Sequence, residues 1–190
     1  MVNQMNDLYL FCGPSGSGKS TIARMLEKDG YSQVYSYTTR KQRNEEDKEH
    51  IFISEEEFKN LQNLVAYTYY NGKHYGATEQ QVDEADIYVI DPQGIKELLQ
   101  KYHGKHKTIT IIYFETSVYT RINRMLDRHD SDMQIVSRLL QDEKFNWKHE
   151  LLDIMYESPN NNVFFWSVDA NGNADEVYKK VLNTIKLDEN

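Results

Sequence analysis

"GPSGSGKST" occupies residues 13–21 and directly follows "LYLFC" (8–12), a short apolar segment that predicts a buried β-strand. The spacing matches G-x-x-x-x-G-K-[ST], with Lys19 and Ser20 in the last two positions. Glycines let successive backbone N–H groups turn into one concavity at the start of a helix, where an anion binds. The alternative interpretation is a Gly- and Ser-rich turn that only caps the helix.

In a loop of this kind the lysine reaches the β- and γ-phosphates of a nucleoside triphosphate, and the hydroxyl after it ligates Mg²⁺. The stretch therefore predicts an ATP site with Mg²⁺ as cofactor. Its residues are Gly13, Pro14, Ser15, Gly16, Ser17, Gly18, Lys19, Ser20 and Thr21.

Strands and helices are predicted to alternate along the rest of the chain. Further strands are predicted near 33–38 and at 87–90, 108–114 and 162–168. Helices are predicted to begin near residues 18, 93 and 174 and to cover most of 117–157. Between these, two short strands flank a helix capped by Ser54. The alternation predicts an α/β fold with a parallel sheet flanked by helices.

Composition limits the function classes. Of the 190 residues 39% are apolar, and no apolar run approaches the length of a membrane span. The formal net charge of −8 argues against nucleic acid or an anionic membrane as a partner. A single cysteine excludes an intramolecular disulfide framework, and we expect a cytoplasmic protein. No repeat or linker divides the chain, which indicates one compact unit.

The stretch "SYTTRKQR" (36–43) combines hydroxyls with cations and has no apolar side chain between them. Arg40 and Arg43, three positions apart on a turning chain, can converge on one dianionic phosphate, since each guanidinium offers a planar fork of donors. The alternative interpretation is an ordinary solvated loop. Asp91, after the apolar segment 87–90, is placed to assist Mg²⁺ through its waters, or else to cap a helix ahead of Pro92.

Six stretches follow one another along the chain: "GPSGSGKST", "SYTTRKQR", "FISEEEF", "YGAT", "VIDPQG" and the arginine-bearing "RINRMLDR". Their order and spacing resemble the guanylate kinase family over nearly the whole chain. The resemblance implies a single domain, 1–190, in which MgATP phosphorylates GMP or dGMP. It also implies three parts: an ATP-binding core, an acceptor-binding lobe and a mobile lid. These correspond to about 1–35, 86–120 and 145–190 for the core, 36–85 for the lobe and 121–144 for the lid.

The resemblance also implies roles for individual residues. Those expected to bind the acceptor are Ser36, Arg40, Arg43, Glu46 (or its neighbour Glu45), His50, Tyr75, Thr78 and Asp91. Arg124, Arg128 and Arg138 fall at or near the lid arginines, and Arg128 and Arg138 are expected to act in catalysis with Lys19 and Arg40. Arginines on a helix can also serve only solubility, and Arg121 is predicted to be such a surface residue.

Three positions depart from the family pattern around the base of the acceptor. Ala66 stands where the family has a glutamate, Ala77 where it has a small hydroxyl residue, and Val89 where it has an aspartate. One alternative is therefore a kinase of this fold acting on another nucleotide or a sugar phosphate. Another is a non-catalytic binding module, against which the intact Lys19 and Ser20 argue. The chain is expected to be a monomer or a homodimer.

Overall fold

The structure, a computed structural model, describes residues 7–42, 47–70, 72–159 and 162–188. The strands in these ranges are β1 (Asp7–Cys12), β2 (Tyr37–Thr38), β3 (Ile51–Phe52), β4 (Leu64–Tyr70), β5 (Lys73–Thr78), β6 (Ile87–Val89), β7 (Thr108–Glu115) and β8 (Val163–Asp169). The helices are α1 (Lys19–Lys28), α2 (Glu55–Lys59), α3 (Glu79–Asp83), α4 (Pro92–Lys101), α5 (Val118–Asp127), α6 (Asp132–Asp142), α7 (Trp147–Tyr156) and α8 (Ala174–Asp188).

The first sheet has the order β6-β1-β7-β8, and all its described pairings are parallel. Side chains of β1 alternate between its faces: Leu8, Leu10 and Cys12 pack in one core cluster, Tyr9 and Phe11 in the other. Helices α4 and α7 contribute to the first cluster, α1 and α8 to the second. A strand covered on both faces reads as a continuous apolar run, which explains the segment 8–12. The predicted α/β fold with a flanked parallel sheet is confirmed.

The second sheet, in the order β3-β2-β5-β4, lies beside the first. Strand β5 runs antiparallel to both of its neighbours, whereas β2 and β3 are parallel. Val65 and Ala66 of β4 and Ala77 of β5 belong to the same core cluster as the apolar face of α4. The second sheet is therefore packed on a helix of the first and does not form a separate core.

The structure refines the predicted elements in two places. The strand expected near 33–38 is reduced to β2 and a single bridge from Gln33 to Ile87. Strand β5 and helix α3 were not predicted. The glycine in β5 obscures its strand pattern, but a Cβ on Gly76 would lie 3.0 Å from the Ala66 carbonyl oxygen, so close pairing with β4 requires glycine. Among the described residues, no helix combines the length and the apolar composition needed to cross a membrane.

Candidate active site

A cavity of about 940 Å³ opens at the carboxyl ends of β1 and β6 and extends between the second sheet and helices α5 and α6. Ligands of open parallel sheets bind at this edge, and the volume is at the upper end of the usual range for small-molecule sites. Residues from all three predicted parts of the chain line it. The cavity is therefore large enough for more than one small ligand.

The loop 13–18 folds as its spacing predicts. Gly16 and Gly18 have φ angles of +77° and +97°, values that L side chains rarely adopt. Gly18 is the N-cap of α1 and provides no side-chain acceptor for the first helical turn. The N–H groups of that turn are thus left for an anion from the cavity.

Lys19 is held inside this loop. Its Nζ donates to the carbonyl oxygens of Gly13 (2.7 Å) and Pro14 (2.9 Å) and to the hydroxyl of Ser17 (3.1 Å). Burial lowers the pKa of Lys19 to about 8, although the negative charge of Asp142 acts in the opposite direction. A phosphate in the cavity would supply the missing counter-charge.

Asp91 is the N-cap of α4. Its Oδ1 accepts hydrogen bonds from the N–H of Gly94 (2.9 Å) and the hydroxyl of Thr68 (3.0 Å), and burial raises the pKa of its carboxyl group. Asp91 nevertheless lines the same cavity as Ser20. Asp91 therefore caps α4, as one of its two interpretations predicted. Its place at the cavity also allows it to contact a metal ion through water.

Two oxygen-bearing side chains at the cavity, those of Ser20 and Asp91, are suited to Mg²⁺. Within the described ranges, no group of three or more His, Cys, Asp or Glu side chains could hold a metal ion. Mg²⁺ is usually bound by one or two protein oxygens together with substrate phosphates and water, so a dedicated cage is not required. Ser20 and Asp91, both at the cavity, fit that mode of binding.

Residues of the described part of the stretch 36–43, that is 36–42, supply part of the opposite wall. Arg40 lines the cavity and is fixed by Asp47, to which its two terminal nitrogens donate over 2.7 and 3.2 Å. Burial acts to lower the pKa of Arg40, but the hydrogen bonds and charge of Asp47 outweigh it and the pKa lies above its ordinary value. Thr38 and Thr39 do not face a ligand, because their hydroxyls bond the backbone of His74.

The other residues expected to bind the acceptor's phosphate or base differ in where the structure places them. Ser36, His50 and Tyr75 line the cavity with Arg40, the Ser36 hydroxyl being 2.9 Å from His50 Nδ1. Thr78 is not among the residues that line the cavity. It is the N-cap of α3, where its hydroxyl accepts the N–H of Gln81 and closes a capping box. Arg43 and Glu46, together with Glu45, lie outside the described residues.

Arg128 and Arg138, the arginines predicted to belong to a lid, both line the cavity. They share one partner, because Arg128 donates to both oxygens of Asp130 and Arg138 Nε lies 3.6 Å from Asp130 Oδ2. Across the cavity mouth, the Tyr70 hydroxyl donates to Gln141 Oε1 and so connects β4 with α6. Helix α6 therefore contacts the second sheet directly.

Arg121 was expected on the surface, and this prediction is wrong. Its side chain is buried, paired with Asp142, and Nε donates to the carbonyl oxygen of Ser15 over 2.8 Å. The spacing to the apolar Met125, four positions further on α5, was the available signal, because both lie on the buried helix face. Arg124 is also turned to the loop, with its guanidinium on the carbonyl of Ser17 (3.0 Å).

Two of the three departures from the family pattern lie at the cavity. Ala66 and Val89 line it, whereas Ala77, the cross-strand partner of Ala66, is buried and is not among the lining residues. Nearby, Tyr69 and Tyr70 also face the cavity, while Tyr67 packs against His74 and Phe58. Of the three tyrosines in this segment, Tyr69 and Tyr70 can thus contact a ligand, whereas Tyr67 packs against other side chains of the protein.

A phosphate-binding loop on a parallel sheet, which shares its cavity with an arginine beside the second sheet and with arginines of α5 and α6, defines a P-loop phosphotransferase. Comparison with known proteins narrows this class. The family model described as guanylate kinase matches residues 5–163. The chain belongs to the guanylate kinase family.

Individual relatives agree with that assignment. A guanylate kinase of Fusobacterium nucleatum is 30% identical over 165 residues, which are 80% of this chain and 83% of that protein. One of Bartonella henselae is 30% identical over 154 residues, 75% of this chain and 68% of the relative. The crystal structure of guanylate kinase from Anaplasma phagocytophilum superposes with a TM-score of 0.57 at 17% identity, over 99% of this chain and 88% of that one, which shows the shared fold.

Proposed function

We propose that the protein transfers the γ-phosphate of MgATP to GMP or dGMP, giving ADP and GDP or dGDP. One observation carries the proposal: the P-loop and the arginine, tyrosine and serine of the acceptor wall open into a single cavity. Phosphoryl transfer depends chiefly on positioning and on electrostatic stabilisation of the moving group, so both phosphates must meet in one water-poor space. We further propose that the first sheet and its helices form the ATP-binding core, 36–85 the acceptor lobe and 121–144 the lid.

The donor would bind through the N–H groups of the P-loop, with Lys19 on its terminal phosphates. Mg²⁺, entering with ATP and held by Ser20 with Asp91 acting through water, would neutralise part of the phosphate charge. Arg128 and Arg138 would stabilise charge on the transferring group. Both already lie at the cavity, and ligand binding would only have to move them from Asp130 to the phosphates.

The acceptor's phosphate would be held by Arg40, with donors from Tyr75 and Ser36. Arg40 suits this role because Asp47 fixes its fork and leaves the guanidinium at the cavity wall. The roles of Arg43 and Glu46 in acceptor binding stay predictions. At the base, the absence of a carboxylate on Ala66 and Val89 favours a second candidate, the same transfer to a nucleotide with another base.

A coupled assay of ADP formation with GMP, dGMP, AMP, UMP and dTMP under identical MgATP tests the proposal. We expect GMP or dGMP to have the highest kcat/KM, but by less than the ~10⁴-fold that a fully matched polar site achieves. An unmet buried donor costs about 1–3 kcal/mol, and guanine presents two donors to the altered wall. Turnover of another monophosphate with none of GMP or dGMP would establish the second candidate, and no turnover at all would indicate a binding module.

A further inference from the structure

A buried ion pair holds the tip of the P-loop from behind. Arg121 of α5 and Asp142 of α6 are 6% and 9% exposed and are bonded to each other. Asp142 Oδ2 also accepts the backbone N–H of Ser15 (2.9 Å), and Arg121 Nε donates to the backbone carbonyl of the same residue (2.8 Å). Both backbone groups of Ser15 are thus bound by side chains more than 100 positions away in the sequence.

Helix α5 also contacts the two following residues of the loop. Arg124 Nη1 donates to the carbonyl oxygens of Ser17 (3.0 Å) and, more weakly, Gly16 (3.4 Å). The helix backbone is so close that a Cβ on Gly16 would lie 2.8 Å from the Arg121 carbonyl oxygen. A P-loop binds phosphate with its N–H groups, so its carbonyls must point elsewhere. The two arginines provide partners for three of those carbonyls.

Stability alone does not account for the pair. A buried ion pair loses hydration, and an apolar pair of similar volume is often as stable or more so. An apolar pair, however, could not bond the N–H and carbonyl of Ser15. Asp142 is also one helical turn from Arg138 on α6, so the two side chains share a helix face. The hydrogen bond from Ser15 to Asp142 therefore fixes the P-loop relative to α6, the helix that carries the proposed lid arginine Arg138.

We propose that Arg121 and Asp142 are positioning residues that keep the P-loop in its phosphate-binding shape and align it with α6. The inference rests on the proposed function for the identity of the donor, MgATP. Neither residue needs to touch the nucleotide. Small displacements matter at such a site, since misplacement by ~1 Å can cost ~10²-fold in rate.

The test is calorimetric titration of MgATP in the absence of any acceptor. Asp142→Ala removes the acceptor for the Ser15 N–H, Asp142→Asn retains one, and the double variant Arg121→Leu/Asp142→Ala leaves no unpaired buried charge. We expect the double variant to fold and to bind MgATP ~10- to 100-fold more weakly, with GMP binding changed less than twofold. The MgATP affinity of Asp142→Asn should lie between the affinities of the double variant and the unaltered protein. Glu97→Gln on α4, outside the cavity lining, is the matched control and should leave both affinities unchanged.

Unchanged MgATP affinity in the folded double variant would overturn the inference. Tighter binding would overturn it as well, because Asp142 would then be competing with a phosphate for the Ser15 N–H. If the double variant does not fold, Arg121→Lys is tested in its place. This variant keeps the charge beside Asp142 but loses the planar fork, and unchanged or tighter MgATP binding would again overturn the inference. Failure of the unaltered protein to bind MgATP would refute the proposed function instead, whereas a lack of GMP turnover would leave this titration valid.

Discussion

Replacing Arg40 with alanine should lower kcat/KM for the acceptor by roughly 10³-fold. A hydrogen bond to a charged group contributes about 1.5–3 kcal/mol, and a two-pronged contact with phosphate accounts for about 3 kcal/mol or 10²-fold. The buried Asp47 would then stand beside the phosphate without the guanidinium that now lies at 2.7 Å. Repulsion between two such charges adds about 1–3 kcal/mol at the effective dielectric of a protein surface.

Steady-state kinetics measure the loss of kcat/KM for the acceptor. GMP is varied at saturating MgATP, and MgATP is then varied at saturating GMP. Lys41→Ala is the matched control, because it removes the same charge from an exposed neighbouring position. Arg40→Ala/Asp47→Ala should recover about tenfold relative to Arg40→Ala, since the carboxylate that repels the phosphate is gone. The reasoning fails if acceptor kcat/KM changes less than threefold, or if the loss is confined to KM for ATP.

Three further predictions concern the donor site, the lid and stability. Lys19→Ala should abolish turnover at an unchanged far-UV circular dichroism spectrum, because its ammonium group serves phosphate and not the core; activity in the folded variant would contradict the kinase proposal. Residues 121–144 should exchange amide hydrogen faster than the core without ligands and gain protection with a bisubstrate analogue, and equal exchange in both states would count against a mobile lid. Burial acts to raise the pKa of Asp83, but hydrogen bonds from the Tyr102 hydroxyl (2.6 Å) and the Lys105 N–H outweigh it and hold the pKa below its usual value. The ionised Asp83 therefore stabilises the fold above pH ~4, and this contribution is lost as the pH falls through the lowered pKa. Asp83→Asn should therefore lower the free energy of unfolding by about 1 kcal/mol at pH 7 and by much less near pH 2, and equal losses at both pH values would refute this.

The sequence alone determined the P-loop, the alternating strands and helices, and therefore the α/β fold. These features depend on local physics. Three glycines and the start of a helix shape the loop within nine residues, and a strand buried on both faces must be apolar throughout, as 8–12 is. Of the P-loop residues predicted from the motif, all but Pro14 line the cavity. The family resemblance supplied a further set of ligand-binding residues, and those within the described ranges line the cavity apart from Thr78.

Only the tertiary structure decided which polar side chains face a ligand and which face the protein. Thr78 caps a helix, Asp91 caps another while still reaching the cavity, and Arg121 is buried behind the P-loop. The apolar Met125, four positions from Arg121, marks the buried face of α5, but the local pattern does not say which group the arginine meets there. Its partner, Asp142, lies 21 positions away and bonds a backbone N–H 127 positions away. Such contacts arise only when α5, α6 and the loop are packed together, so no window of sequence contains the information that specifies them.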